Sequence, residues 1–159
     1  MLRFAAALLL LAPLSGCPAP DEVTLDEELP LLSGEPAPVS PELEQARQRW
    51  QAAGLSDYQM TLRRMCFCPS PDYTGPFEVT VRDGDVSRVR LSGARVDAER
   101  GVSVEDLFAL VDDAYERGAV EVALSFHPEL GYPTSIGIDY DRQMADEEIG
   151  YRVSDLARL

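Results

Sequence analysis

The sequence predicts an α+β fold: two helix-plus-three-strand units forming an antiparallel sheet of about six strands, with both helices on one face. Three observations carry this expectation. Apolar residues recur at helical spacing in two segments, each opened by a capping residue and closed by glycine. Apolar and polar residues alternate in strand-like segments. Along the chain the order is a helix and three strands, then the same again.

Each element has a local cause. Ser40-Pro41-Glu42 starts the first helix with a capping hydroxyl, a first-turn proline and a carboxylate at the positive end of the dipole. Leu43, Ala46, Trp50 and Ala53 form its apolar stripe, and Gly54 supplies the stop. Tyr58, Met60 and Leu62 share one face of a strand that continues through Arg64 to Cys66 and Cys68. Met65 and Phe67 fall on the opposite face, which implies a bulge near Arg64 or a strand covered on both sides. Phe77, Val79 and Val81 alternate, Asp83-Gly84 is a strong two-residue turn, and Val86, Val89 and Leu91 return. A polar connection over residues 92–101 leads to the second helix. There Ser103 and Asp106 resemble a capping box, with Asp in place of the usual Glu. Leu107, Leu110, Val111, Ala114 and Tyr115 form the buried stripe, and Gly118 ends it. Three strands follow: Val120/Val122/Leu124/Phe126, then Ile136/Ile138/Tyr140, then Ile149/Tyr151/Val153.

Residues 1–16 have the layout of a secretory signal, with Arg3, an apolar run from Phe4 to Leu14 and then small residues. The run falls short of the ~20 residues that a membrane-spanning helix needs, so a cleaved leader is expected. Leu14-Ser15-Gly16-Cys17 looks like a bacterial lipobox, in which Cys17 becomes the lipidated first residue. Leu14 suits that pattern better than the small-residue rule of ordinary signal peptidase, whose product would be a plain secreted protein. Each buried methylene contributes about 0.8 kcal/mol and stable anchoring needs at least two chains, so a triacyl modification of Cys17 would hold the protein permanently. Between Pro18 and Pro41 lie six prolines, six acidic residues and no basic ones. Residues 17–41 therefore read as a disordered, self-repelling tether, and 42–159 as a single α+β domain.

The chain holds 28 Asp and Glu against 14 basic residues, all of them Arg, for a net charge of −14. Loss of Arg3 with the leader makes it one unit more negative. So acidic a surface repels phosphate backbones and anionic head groups, which argues against nucleic acid and against electrostatic membrane docking. The expected membrane contact is the lipid on Cys17, and cationic ligands or basic proteins remain open as partners.

Trp50, Asp57-Tyr58, Cys66-Phe67-Cys68-Pro69, Asp83-Gly84, Phe108, and Gly131-Tyr132-Pro133-Thr134 ahead of Ile138-Asp139 run in an order similar to one bacterial family. It is the group filed as domain of unknown function 6174, largely predicted lipoproteins. The resemblance spans residues 41–153, and its most specific parts are the Cys-Phe-Cys and Gly-Tyr-Pro-Thr steps. It implies the fold and the envelope location and brings no catalytic residue. The sequence departs from the family pattern at Phe126-His127-Pro128, so no role passes to His127.

With Cys17 spent on lipid, two thiols remain for an oxidising compartment, which favours pairing Cys66 with Cys68. Residues two apart in a strand hold their Cα atoms about 6.5–7 Å apart, the upper edge for a disulfide, so closure requires a kink. A local staple, an unbridged buried pair and a redox or metal site are the three readings. The last lacks a helix N-terminus to lower a thiol pKa, and its only further ligands are His127 and some Met. Asp139, Asp141, Asp146, Glu147 and Glu148 crowd one hairpin, but Met144 and Gly150 stand where an EF-hand needs Gly and Glu. A solvated turn or a looser cation site is left. His127, the only histidine, has no Gly-x-Ser-x-Gly to serve and reads as a turn cap before Pro128. Tyr132 with Tyr73 and Tyr140 is a candidate recognition surface, against the plainer reading of half-buried packing.

The expected function is a lipid-anchored protein on the periplasmic side or outer surface of a bacterial envelope. It binds an envelope protein or small ligand, with no catalytic residue, cofactor or metal. The alternative is a thiol–disulfide or metal-handling lipoprotein that uses Cys66 and Cys68.

Overall fold

The chain is described here by a computed structural model covering residues 36–144 and 148–159. The leader, Cys17 and residues 17–35 of the expected tether lie outside the described residues, as do Asp146 and Glu147 of the acidic hairpin.

Both helices form where their caps place them. Helix α1 (Pro41–Ala53) begins at Ser40, whose hydroxyl accepts from the Glu42 N–H, and stops at Gly54 with φ 57°. Helix α2 (Val104–Glu116) opens with a complete capping box. The Ser103 hydroxyl accepts from the Asp106 N–H at 3.1 Å, and the Asp106 carboxylate accepts from the Ser103 N–H at 2.7 Å. Asp does the work of the usual Glu.

The strands are β1 (Tyr58–Met65), β2 (Phe77–Arg82), β3 (Asp85–Leu91), β4 (Ala94–Val96), β5 (Glu121–Phe126), β6 (Pro133–Asp139) and β7 (Ile149–Arg158). They make one antiparallel sheet in the order β4-β3-β2-β1-β7-β6-β5. The sheet thus has seven strands where about six are expected. The extra one is β4, turned back onto β3 by Ser92 and Gly93, both at positive φ. Asp83-Gly84 makes the same kind of turn between β2 and β3. Four strands follow the first helix and three the second. The last strand is the longest, and it inserts between β1 and β6.

Of the two readings near Arg64, a bulge or a strand covered on both sides, the bulge is absent: burial alternates through Met65, where β1 ends. The irregularity lies nearer the other end, where Gln59–Thr61 face an extra residue of β7 and Asp155 takes φ 54°. There the bulged strand is β7.

One set of strand residues is buried: Tyr58, Met60, Leu62, Phe77, Val79, Val81, Val89, Ile136, Ile138, Tyr151 and Val153. They join Leu43 and Trp50 of α1 and Val104, Leu107, Phe108 and Val111 of α2 in a single cluster. The alternate residues, among them Gln59, Arg63, Glu78, Arg90, Glu121, Ala123 and Arg152, are exposed, and they define a second face of the sheet. Residues 36–40, the end of the expected tether, already bond to the domain. Ala37 N–H donates to the Ala119 carbonyl at 2.8 Å, and Ser40 N–H donates to the Tyr115 hydroxyl at 3.1 Å. Among the described residues no helix is long and apolar enough to cross a membrane.

Candidate functional site

Glycine inside a strand leaves a gap in the side-chain layer and often marks a place where something else approaches the backbone. Here two such gaps and an alanine fall into one row. Ala123 pairs with Gly137, Gly137 with Gly150, and Gly150 with Met65, across β5, β6, β7 and β1. The exposed face consequently carries a groove of about 420 Å³ with this row as its floor. Met65 leans over one end, so that a Cβ added to Gly150 would meet Met65 Cε at 2.7 Å. At Gly137 the nearest neighbour would be Ala123 Cβ at 3.7 Å, an ordinary van der Waals contact.

Large, exposed apolar residues line the groove, Phe67 and Met65 at one side and Ile149 in register with buried Ile138. Phe67 is 83% exposed, and Met65 and Ile149 are each 38% exposed. These are three of the seven large hydrophobic residues exposed among the described residues, and all three line this one depression. Phe67 is held there covalently. Cys66 and Cys68 form a disulfide with Cα atoms 5.2 Å apart. Because β1 ends at Met65, neither cysteine lies in a strand, and the long Cα separation feared for a strand pair does not arise. The bridge fixes the chain on both sides of Phe67 and turns its ring to solvent at the groove's rim. Neither cysteine stands at a helix N-terminus; the chain runs on to a short 3-10 turn at Pro71–Tyr73. Among the described residues no set of three or more His, Cys, Asp and Glu is arranged to hold a metal.

Charge is ordered across the same face. Glu121 pairs with Asp139, and Glu148 follows next to them, just before Ile149, which pairs with Ile138. All three acids line the groove. Two residues along the strands, beyond the glycine row, Arg63 pairs with Arg152, Arg152 with Ser135 and Ser135 with Ser125. Neither guanidinium has an ion pair among the described residues. The glycine row therefore lies between an acidic row, which lines the groove, and a basic one just beyond it.

At the Trp50 corner the polar groups are already engaged. A second depression, near Trp50, Gly84, Glu105 and Phe108, has a similar volume of about 440 Å³. Its Glu105 carboxylate accepts from Trp50 Nε1 at 2.9 Å and from the Tyr58 hydroxyl at 3.2 Å. The Tyr58 oxygen in turn accepts from the Val104 N–H at 2.8 Å, filling one of the open donors at the start of α2. Burial, with the nearby Glu105 carboxylate adding to it, pushes the Tyr58 phenol far above its ordinary pKa. Arg47 is bound to Asp112 and lies over the Phe108 ring. This corner holds the fold together.

The residues singled out from sequence separate. Tyr132 is 6% exposed, edge-on to Trp50 and stacked on His127, with its pKa raised by burial. It is a core residue and cannot present a recognition surface. Tyr140 stands just past the other end of β6 under Arg117, and Tyr73 lies under Arg100 beside a different strand pair. The three tyrosines do not form one patch. His127 Nδ1 accepts from the N–H groups of Glu129 and Leu130, which is the expected turn cap. Asp139 accepts from Asp141 N–H at 2.8 Å, an ordinary turn bond in the acidic hairpin.

The geometry can be set beside known proteins. This chain belongs to the family of unknown function DUF6174. The family model matches residues 42–158, which is the whole two-helix, seven-strand domain to within a residue or two. In this DUF6174 domain the two most specific steps of the sequence resemblance have different duties. Gly-Tyr-Pro-Thr places Tyr132 against Trp50 in the core, while Cys-Phe-Cys forms the rim of the groove. No curated protein and no solved structure matches the chain. Sequence reasoning reached Cys66 and Cys68 and missed Gly137, Gly150, Arg63 and Arg152. The available signal was a glycine inside each of two strand patterns.

Proposed function

We propose that this protein is a non-catalytic binding module, lipid-anchored through Cys17 to a bacterial envelope membrane, with the groove beside the Cys66–Cys68 bridge as its binding site. The lipobox-like Leu14-Ser15-Gly16-Cys17 and the acidic, proline-rich stretch after it support the anchor and the tether. In this reading both helices cover one face of the sheet, so the groove face is left to a ligand. The observation that carries it is the meeting of exposed apolar side chains and charges without an ion pair among the described residues at one groove, while the comparable depression at Trp50 has its polar groups engaged. Apolar patches flanked by polar groups are where binding surfaces concentrate.

Gly137→Trp tests this directly. A Cβ at 137 meets only Ala123 in ordinary contact and the backbone there is not left-handed, so a large side chain can be attached without straining it and is expected to fill the groove. Tagged full-length protein is expected to retain a defined protein or small molecule from a detergent extract of envelope membranes. Gly137→Trp is expected to lose it, while a Gln51→Ala control on α1 keeps it. Equal retention by both variants would refute the site.

A further inference from the structure

We infer that the groove takes a short zwitterionic peptide, about four residues long, extended along the strands with its amino terminus at Glu121, Asp139 and Glu148 and its carboxylate between Arg63 and Arg152. The inference rests on the binding reading above and names its ligand class. Like charges directly opposite each other on neighbouring strands destabilise a sheet, and two such sets of opposite sign flank the glycine row. Glu121 faces Asp139, with Glu148 beside them, and Arg63 faces Arg152. Neither arginine finds a counter-ion among the described residues. A free ammonium relieves the first set and a carboxylate the second. Arginine suits that second task because its fork can take a carboxylate through two parallel bonds.

The separation fixes the ligand's length. Asp139 and Ser135, which mark the acidic and basic rows on β6, are four residues apart, or about 13 Å at strand rise. An extended tetrapeptide spans about the same distance between its ends. The floor between the rows is Ala123, Gly137 and Gly150, which lets a peptide backbone lie close to the sheet. Ser125 and Ser135 offer hydroxyls beside the arginines, and Phe67 and Met65 offer apolar cover at one side. A ligand with only a cation would face the uncompensated arginines, and one with only an anion would face the acids. Both charges on one short chain fit both rows, and termini are the part of a peptide that protein sites commonly capture.

Calorimetry on the full chain in a non-ionic detergent tests the idea with tetra-alanine as the probe. The free peptide is expected to bind. Acetylating its amino terminus or amidating its carboxylate should each weaken binding about tenfold, the scale of one charge-assisted contact. Dialanine, too short to reach both rows, should bind more weakly still. In Arg63→Ala/Arg152→Ala the amide and the free peptide should become equal. In Glu121→Gln/Asp139→Asn the acetylated and free forms should become equal. The amide signals of Gly137 and Gly150 should move on titration of the wild type. Equal affinity for free and doubly blocked peptide would overturn the zwitterion reading and leave the groove as a binding site. No heat and no shift at Gly137 or Gly150, with the extract ligand still lost in Gly137→Trp, would overturn it in the same way. Failure of both experiments would remove the site itself.

Discussion

Tyr58→Phe removes one oxygen and thereby tests how the two helices are fastened to the sheet. That oxygen accepts from the buried Val104 N–H at 2.8 Å and donates to Glu105 at 3.2 Å. Val104 is fully buried, so its N–H has no water to turn to. An orphaned buried donor costs about 1–3 kcal/mol, and Glu105 keeps its bond from Trp50, so the expected loss is about 2 kcal/mol. For a domain of this size that is a fall in Tm of about 8 °C. Chemical and thermal unfolding of wild type and variant, followed by circular dichroism, would measure it. The pH dependence gives a second readout. Tyr58 has its pKa raised in the folded state, so its ionisation favours unfolding. Its contribution is intact below about pH 10, the phenol's unfolded value, and is lost as the pH climbs above that. Tyr58→Phe should therefore show a shallower alkaline loss of stability, with a residual slope from Tyr132, which burial also raises. Unchanged stability at neutral pH together with an unchanged alkaline slope would refute the network.

Two glycines, the cysteine pair and Cys17 give the remaining outcomes. Gly131 has φ 79°, and a Cβ there would overlap the Ala46 carbonyl oxygen of α1, so Gly131→Ala should cost about 3 kcal/mol or more. Gly54→Ala has the same backbone sign but open space around it, and should cost only about 1–2 kcal/mol in the same denaturation series. Native protein without reductant should show no titratable thiol at Cys66 and Cys68. Cys66→Ser/Cys68→Ser closes no loop and should lose about 1–2 kcal/mol, as expected for so short a ring, while its ligand binding weakens because Phe67 is no longer held at the rim. Intact-mass analysis of protein from membranes should find residues 1–16 gone and Cys17 carrying three acyl chains; Cys17→Ser should move the protein to the soluble fraction.

Much of the fold was legible because its signals are local. Ser40 and Ser103 announce helix starts, Gly54 and Gly118 helix ends, and Asp83-Gly84 a hairpin, each through the backbone of a few adjacent residues. Strand β4 was missed because Ala94–Val96 is too short to show alternation, although Ser92-Gly93 was a turn signal in plain view. The position of β7 between β1 and β6 depends on pairings across nearly the whole domain, which no local pattern encodes. The groove escaped notice for the same reason. Ala123, Gly137, Gly150 and Met65 are unremarkable within their own strands, and become a floor only through the register of four strands. The acidic overall charge pointed to cationic partners, and it concealed a local arginine pair on the exposed face. Tyr132 carried two readings, recognition surface or packing, because a tyrosine beside a turn reads the same whether its ring faces solvent or folds back onto Trp50.

Photo-crosslinking in intact cells tests the central claim most directly. A benzophenone amino acid is placed in full-length protein as Phe67→p-benzoylphenylalanine, at the groove's rim, or as Gln51→p-benzoylphenylalanine, beside the Trp50 depression. The account predicts a discrete adduct from position 67 that disappears when Gly137→Trp fills the groove, and none from position 51. An adduct from 51 alone, or one from 67 that survives Gly137→Trp, would contradict it.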